Sequence, residues 1–263
     1  MFNYVSILYH DIISIGMWTR PKKTNKQTEG IQRIKTFTLN LLFPKSCFFC
    51  GAEESYVCQN CHALFDILDG FYCLCHLPKR LAEPGKCSSC KTRVLDGLLF
   101  PLPYESKFTR RLIHSFKYEP FLKSLAEDLA FFIINHLQLT QKENAFSDFL
   151  LIPVPLAQKR LKWRGFNQSE ELARELSGWL QIPLSPDCLI KIKTTLPQVE
   201  LSESERQENI RNAFSVKNDS QIARKKILLI DDVYTTGATM EECARILKAS
   251  GAKQVWGLAV ARG

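Results

Sequence analysis

The sequence predicts an α/β protein in which a doubly wound, mostly parallel sheet follows a small cysteine-rich module. Two observations predict this fold class. After residue 97, apolar runs of strand length alternate with segments of helical periodicity, whereas eight of the ten cysteines fall between Cys47 and Cys90. The composition, 45% apolar and 24% charged in 263 residues, fits a globular protein with a sizeable core and excludes a wholly disordered chain.

Three domains are expected along the chain. Residues 1–35 are predicted to be a flexible basic appendage, since they lack a sustained apolar periodicity. Residues 36–97 form the cysteine-rich module, and residues 98–263 form the α/β domain. Residues 1–46 carry seven Lys/Arg and two Asp/Glu, so they supply much of the net charge of +8. Such a charge permits contact with phosphates or nucleic acid, although a solvated lysine-rich surface is the commoner explanation.

The compartment follows from the apolar segments and the cysteines. No stretch approaches the roughly 20 apolar residues that a membrane span needs. The first 16 residues contain His10 and Asp11 and no leading basic segment, which is not typical of a signal peptide. We therefore expect a cytoplasmic protein without a membrane span, in which paired cysteines bind metal more often than they form disulfides.

The clustered cysteines form three C-x-x-C pairs and one C-x-C pair. Two such pairs complete a tetrahedral site, which predicts two structural zinc ions. The simplest ligand sets are Cys47, Cys50, Cys58 and Cys61 for one ion, and Cys73, Cys75, Cys87 and Cys90 for the other. The spacing also allows a cross-braced pairing, and His76 offers a rival ligand because Cys73-x-x-His76 has the normal spacing. The isolated Cys188 and Cys243 are predicted to be core thiols.

The α/β domain is expected to contain strands that lack strict alternation, separated by helices. This pattern is typical of a parallel sheet covered on both faces. Pro120 should lie near the first turn of its helix. The expected elements are a strand at 98–102, helices at 107–118 and 120–137, a strand at 149–154, a helix at 168–180, strands at 189–192 and 227–230, a helix at 239–249 and a strand at 255–261.

A phosphate site is predicted where the strand at 227–230 leads into the helix at 239–249. The first amides of a helix lack partners, and the helix dipole favours an anion there. Gly237 lets the backbone approach a ligand closely, and neighbouring threonine hydroxyls add donors. These features favour a phosphate monoester bound by Thr235, Thr236, Gly237, Ala238 and Thr239. Alternatively, Thr239-x-x-Glu242 fits a capping box, in which Thr239 simply caps the helix.

An acidic pair, Asp231 and Asp232, precedes this loop. Ligands of open α/β sheets bind at the carboxyl ends of strands, so both side chains are expected to point into a solvent-accessible cleft. There the two carboxylates can accept hydrogen bonds from sugar hydroxyls and favour positive charge that develops on a ribose ring. As an alternative, two aspartates after a strand could hold magnesium in a phosphatase or a switch protein.

The string from Ile227 to Thr239 closely resembles the phosphoribosyl pyrophosphate motif of type I phosphoribosyltransferases, and the chain resembles their ComF/GntX branch. The cysteine module and two further blocks support the narrower resemblance, which extends from about Phe43 to Gly263. The blocks are Ile152-Pro153-Val154-Pro155 with Arg160 and Arg164-Gly165-Phe166-Asn167-Gln168, and Gln198-Val199-Glu200-Leu201 with Arg206, Asn209 and Phe214. Phe116-Lys117-Tyr118 also resembles the branch, and no role is assigned to it.

The resemblance implies a type I phosphoribosyltransferase fold and a set of ligand contacts. Asp231 and Asp232 would bind the ribose hydroxyls as the catalytic pair, and Arg160 or Arg164 would bind the pyrophosphate. Mg²⁺ would bridge pyrophosphate oxygens and the ribose. The 5′-phosphate would be held by Thr235, Thr236, Gly237 and Thr239.

Two polar segments flank this predicted site. Residues 156–166 are predicted to be a loop with four cations and no anion, which suits either a polyphosphate or a nucleic acid. Residues 202–212 fit equally well a solvated helix face and the mobile loop, closing over the substrate, that the resemblance implies. The cations of the first segment are Lys159, Arg160, Lys162 and Arg164.

Two functions are compatible with these features. The first is a phosphoribosyltransferase of the competence branch whose acceptor the sequence does not identify. The second is a non-catalytic module that binds a nucleotide or single-stranded DNA in natural transformation. The resemblance implies a role in DNA uptake, with DNA-uptake proteins as partners.

Overall fold

The computed structural model of the chain describes residues 45–193, 210–217 and 219–263. The described residues belong to one compact unit. The predicted appendage at 1–35 and most of the segment at 202–212, including Arg206 and Asn209, lie outside them. The division into three domains therefore stays a prediction. Within the described part of the chain, no helix is long and apolar enough to cross a lipid bilayer.

The described elements follow one another in two groups. In the cysteine-rich module they are α1 (Gln59–His62), β1 (Phe71–Tyr72) and β2 (Arg80–Leu81). In the α/β domain they are β3 (Gly97–Leu99), β4 (Leu102–Pro103), α2 (Lys107–Lys117), α3 (Leu125–Leu139), β5 (Phe149–Pro153), α4 (Gln158–Arg164), α5 (Gln168–Leu180), β6 (Leu189–Lys191), β7 (Phe214–Val216), β8 (Lys226–Tyr234), α6 (Ala238–Ala249) and β9 (Gln254–Arg262).

The central sheet is parallel, with the order β3-β9-β8-β5, and β4 pairs with β9 beyond the end of β3. The pairing of β5 with β8 ends at Pro153 and Ile230, whereas β8 continues against β9 as far as Tyr234. Asp231 and Asp232 therefore lie on β8 just beyond the end of β5. This edge of the sheet is where ligands of open α/β folds bind.

Helices pack against both faces of the sheet. Successive residues of a strand point to opposite faces, so neighbouring residues of β8 belong to different cores. Leu228 and Ile230 belong to a core shared with α2, α3 and α5. Ile227 and Leu229 belong to a second core, shared with α6 and with the antiparallel pair β6–β7. The predicted doubly wound α/β fold is confirmed. Cys188 and Cys243 are buried in the second core, as predicted.

Several predicted elements differ from the structure, among them the strand expected at 227–230, which continues to Tyr234 as β8. The strand expected at 98–102 is divided into β3 and β4, and Pro101 between them has no N–H to donate to a ladder. The helix expected from Pro120 begins only at Leu125, because Phe121 has a φ of +53° and the amide of Leu122 bonds to Ser115 O. The segment expected to be a loop contains the helix α4.

The described residues of the cysteine-rich module, from residue 45 onward, do not form a separate core. Cys47, Cys61 and Phe65 pack into the first core of the α/β domain. Cys73 and Cys90 pack into the second core, on the other face of the sheet. The two halves of the module are therefore stabilised by opposite sides of the same sheet.

Candidate functional site

Residues 235–237, the glycine loop, connect β8 to the N-terminus of α6. Gly237 is the N-cap of this helix and has a φ of +80°. A Cβ at Gly237 would overlap the ring of Tyr234, so only glycine fits both the conformation and the space. The amide of Ala238 donates to Thr236 Oγ1 at 3.4 Å. The loop thus presents backbone amides and hydroxyl groups at a helix N-terminus, which suits an anion.

The capping box considered for α6 is wrong. Because the helix begins at Ala238, Glu242 lies too far along it to reach back to the N-cap. Its carboxylate instead accepts a hydrogen bond from the amide of Asn212 at 2.7 Å and binds Arg245. The N-cap residue itself, Gly237, has no side chain that could cap the helix.

The two aspartates have different environments. Asp231 Oδ1 accepts hydrogen bonds from Ser169 Oγ and from the amide of Asp232, both at 2.9 Å. Asp232 Oδ1 pairs with Lys117 Nζ at 2.9 Å, and Asp232 is only 5% exposed. The expectation that both carboxylates point into an accessible cleft is therefore wrong for Asp232. As neighbours on a strand, the two side chains leave it on opposite faces.

Burial raises the pKa of Asp231 to about 7, and the charge of Asp232 acts in the same direction. Lys117 and the hydroxyl of Ser169 oppose this shift. For Lys117, burial acts to lower the pKa, but the charges of Asp232 and Asp231 outweigh it and the pKa is raised. Lys117 therefore stays charged at neutral pH, whereas the carboxyl group of Asp231 is partly protonated at that pH.

The two predicted arginines lie on α4. The guanidinium of Arg164 donates to Gln168 Oε1 at 3.0 Å and lies over the ring of Tyr118, 5.4 Å from its centroid. Burial lowers the pKa of Arg164, and the charge of nearby Asp232 opposes that shift. Arg160 lies near Lys191 of β6, whose pKa is lowered by burial and by the charge of Arg160. Both arginines are thus close to other charged groups of the site.

Sequence reasoning missed Lys117, Ser169 and Lys191 as members of the site. Lys117 lies in the Phe116-Lys117-Tyr118 block, which was the only signal for it. The structure explains two residues to which no role was assigned. Gln168 Nε2 donates to Phe116 O at 3.2 Å and so joins that block to α5. Asn167 caps α5, since its side chain accepts a hydrogen bond from Ser169 N.

The structure gathers the clustered cysteines into two groups, each with its ligand atoms within 4.8 Å of one another. The grouping is sequential rather than cross-braced, and His76 is exposed and outside the second group. The first cluster is Cys47, Cys50, Cys58 and Cys61, and the second cluster is Cys73, Cys75, Cys87 and Cys90. Each cluster could hold a metal ion.

Backbone amides point at sulfur atoms in both clusters. The amide of Cys58 donates to Cys47 Sγ at 3.4 Å, and the amide of Lys79 donates to Cys73 Sγ at 3.2 Å. Although burial acts to raise the pKa of Cys47, hydrogen bonds from the amides of Cys58, Phe49 and Cys50 lower it to about 6. Such donors stabilise a thiolate, which is the form that binds metal. The residues therefore fit a thiolate-bound ion.

Comparisons with known proteins agree with this architecture. The family model described as "Phosphoribosyl transferase domain" matches residues 162–261. The chain is 40% identical to Competence protein F of Haemophilus influenzae over 112 residues, 41% of this chain and 49% of that protein. It is 30% identical to DNA utilization protein YhgH of Shigella flexneri over 71% of this chain and 95% of that protein. The identity to Competence protein ComFC of Bacillus subtilis is 30%, over 79% of this chain and 83% of that protein.

The parallel sheet, the glycine loop at the start of α6 and the matching domain model together define a type I phosphoribosyltransferase domain. The chain belongs to the ComF family of phosphoribosyltransferase-like competence proteins.

Proposed function

We propose that this protein binds phosphoribosyl pyrophosphate with Mg²⁺ and transfers the phosphoribosyl group to an acceptor. The observation that carries the proposal is the order of groups along β8. The acidic pair is followed directly by the glycine loop and the start of α6, and Arg164 lies near Asp232. A sugar bound at the carboxylates would thus have its phosphate at the helix N-terminus.

Different residues bind different parts of the proposed substrate. The amides at the start of α6, with Thr235, Thr236 and Thr239, hold the 5′-phosphate. Asp231 accepts hydrogen bonds from the ribose hydroxyls, and Asp232 keeps Lys117 beside the pair. The oxygen-rich donor set suits Mg²⁺, which when bound neutralises charge on the pyrophosphate oxygens. Arg160 and Arg164 provide planar forks for the leaving pyrophosphate.

These groups favour departure of pyrophosphate. As its bond to the ribose lengthens, positive charge develops on the ring, close to the two carboxylates. Arg164 is held in place by Gln168 and Tyr118, so less reorganisation is needed when the leaving group takes up negative charge. An acceptor nucleophile then attacks the exposed face of the sugar.

Calorimetry of Mg²⁺-phosphoribosyl pyrophosphate binding tests the proposal. The double variant Asp231→Asn with Asp232→Asn should lose detectable binding. Asp148→Asn is the matched control, because it alters an exposed, ion-paired aspartate at the opposite end of the same sheet. Release of pyrophosphate in the presence of a panel of acceptors tests turnover. Wild-type affinity in the double variant would remove the assignment.

We also propose that the two clusters hold structural zinc ions. Four thiolates at close range suit the tetrahedral preference of Zn²⁺, and the amides that donate to the sulfur atoms support that state. A thiol-modifying reagent should release close to two equivalents of zinc per chain. Release of one equivalent would show that one cluster does not bind the metal.

A second candidate function, binding of single-stranded DNA or a nucleotide, is favoured by the surface around α4. Trp163 is 56% exposed, and its ring lies 5.1 Å from that of Phe121 and 6.4 Å from that of Tyr118. Exposed rings beside clustered cations are typical of proteins that stack single-stranded bases. The names of the relatives, which mention competence and DNA utilization, agree with it. A cytoplasmic location remains a prediction.

Titrating a fluorescent oligonucleotide at increasing salt tests this candidate. Trp163→Ala should weaken binding, whereas Phe131→Ala, an exposed aromatic on α3, should not. A general electrostatic grip would also weaken when residues 1–35 are removed, because that deletion takes away six Lys/Arg and two Asp/Glu. No binding by the intact chain at low salt would exclude direct contact with DNA.

A further inference from the structure

We propose that Arg262 is a positioning residue that couples the second cysteine cluster to the glycine loop. Metal at the second cluster, more than metal at the first, would then set the affinity of the loop for phosphate. The inference rests on the proposed phosphate site, but the coupling itself can be measured without any ligand.

Arg262 connects the end of β9 to the C-x-C turn of the second cluster. It is only 6% exposed, and its guanidinium donates to Cys73 O at 2.5 Å and to Cys75 O. Both acceptors belong to the backbone that carries two of the four sulfur ligands. A metal ion that fixes those sulfur atoms therefore also fixes the two carbonyl groups that hold Arg262.

Arg262 in turn supports Tyr234, its partner in the β8–β9 ladder. The guanidinium carbon lies 5.3 Å from the centroid of the Tyr234 ring. That ring is 2% exposed, and its hydroxyl has no hydrogen-bond partner within the described residues. Stacking and packing, rather than a hydrogen bond, must hold the ring in place. The ring lies against Gly237, where a Cβ would overlap it, so its position limits that of the glycine loop.

A second contact links the same region to α6. Glu241, in the first turn of α6, accepts a hydrogen bond from the amide of Val94 at 2.7 Å, shortly after Cys90 in the chain. The first cluster is different, because Cys47 and Cys61 pack with Phe65 and Phe132 into the core on the other face of the sheet. Thus the second cluster, and not the first, contacts the residues that hold the glycine loop in place.

Arg262→Met tests the coupling while leaving all the cysteines in place. Zinc content should stay at the wild-type level, and amides at 235–239 should exchange with deuterium faster, while those of α5 should not change. Affinity for Mg²⁺-phosphoribosyl pyrophosphate should fall about tenfold, within the range typical of coupled sites. Arg80→Met is the control, since Arg80 lies on β2 and pairs with Asp69 while its side chain is 62% exposed.

Cysteine variants test the other end of the coupling. Cys75→Ser and Cys50→Ser should remove comparable amounts of zinc, but Cys75→Ser should weaken phosphate binding much more. Combining Arg262→Met with Cys75→Ser should add little to the larger single effect, because both act through one path. If Cys75→Ser does not fold, the Arg262→Met measurements decide alone.

The outcomes separate this inference from the proposed function. Unchanged exchange at 235–239 in Arg262→Met would overturn the coupling, whether or not the protein binds the sugar phosphate. If wild-type protein binds and Arg262→Met binds equally well, the proposed function stands and the coupling fails. If wild-type protein does not bind but the local exchange increases, the proposed function fails and the coupling to the loop stands.

Discussion

The candidate site has two halves that are built in different ways. The loop half, residues 231–239, is held by backbone features: the β8–β9 ladder, the glycine at positive φ and the start of a helix. The cationic half comes from side chains on three separate elements, and their positions depend on ion pairs and ring contacts. The cationic half consists of Lys117, Arg160, Arg164 and Lys191. The loop half therefore fixes the geometry of the proposed phosphate site, whereas the cationic half supplies its positive charge.

The largest effect is expected where the two halves meet, at the pair between Lys117 and Asp232. Lys117→Met leaves a buried carboxylate without its partner, and should lower the free energy of unfolding by about 3–5 kcal/mol. Denaturant titration measures it. Lys123→Met breaks a pair whose lysine is 61% exposed, and should cost less than about 1 kcal/mol. Equal losses in the two variants would contradict the buried role, and adding Asp232→Asn should restore much of the stability.

The next effect belongs to the loop half alone. Gly237→Ala adds a Cβ that overlaps the ring of Tyr234, at a φ of +80°. We expect strain to lower the stability by about 1–3 kcal/mol. The affinity for phosphate should also fall, by the same factor at low and at high salt. Gly51→Ala is the control, because Gly51 has a φ of +77° and no heavy atom near its Cβ position. A similar loss of phosphate affinity in both variants would show that the Tyr234 contact is unimportant.

The pH dependence of binding tests the comparison of the two halves further, because it reports the ionisation of Asp231, which lies where they meet. The pKa of Asp231 is raised from 3.8 to about 7, so its carboxylate is protonated below that pH. Affinity for the magnesium complex should rise as the pH increases from about 6 to 8 and then level off, since ionisation of Asp231 precedes binding. Calorimetry at several pH values measures it.

The substrate titrates as well, so the comparison with Asp231→Asn is essential. That variant should retain only the pH dependence of the ligand. The same raised pKa predicts a stability effect of the opposite sign: the unfolded chain ionises more readily, so stability falls as the pH rises from about 4 to 7. An identical binding profile in wild type and Asp231→Asn would contradict the assignment.

The smallest effect is expected for Arg160, which is only partly buried on α4. Arg160→Gln should weaken binding of the magnesium complex a few-fold at low salt, and less at about 0.1 M salt, where screening acts over roughly 10 Å. Thr236→Val should show a loss that salt does not change, because a hydroxyl carries no charge. If both losses vary equally with salt, the division into a geometric and an electrostatic half is wrong.

The loop half could be predicted from sequence because all its parts are neighbours in the chain. A buried strand, two aspartates, a glycine and a helix start follow one another, and each has a local signature. The ion pair of Lys117 could not be predicted in this way, since it joins α2 to β8 through the packing of a helix on the sheet. Ser169 is hidden for the same reason, because it reaches Asp231 from the start of α5.

Helix α4 was missed for a different reason. None of its residues is buried, so it has no apolar periodicity from which a helix could be predicted. Its end is marked by Gly165, with a φ of +79°, but that signal follows a run of charges typical of a loop. In contrast, α5 was predicted with its observed bounds, because it packs Leu172 and Leu176 into the core.

The position of β9 in the sheet has a consequence for synthesis of the protein. Among the described strands β9 is the last along the chain, yet it lies between β3 and β8. While the ribosome is still making β8, β3 and β4 lack β9, which is their partner among the described strands, and both cores are open. Such a nascent chain would expose strand edges and apolar surface until β9 emerges, and both features favour aggregation. Folding should then be slow and governed by contacts between distant parts of the chain.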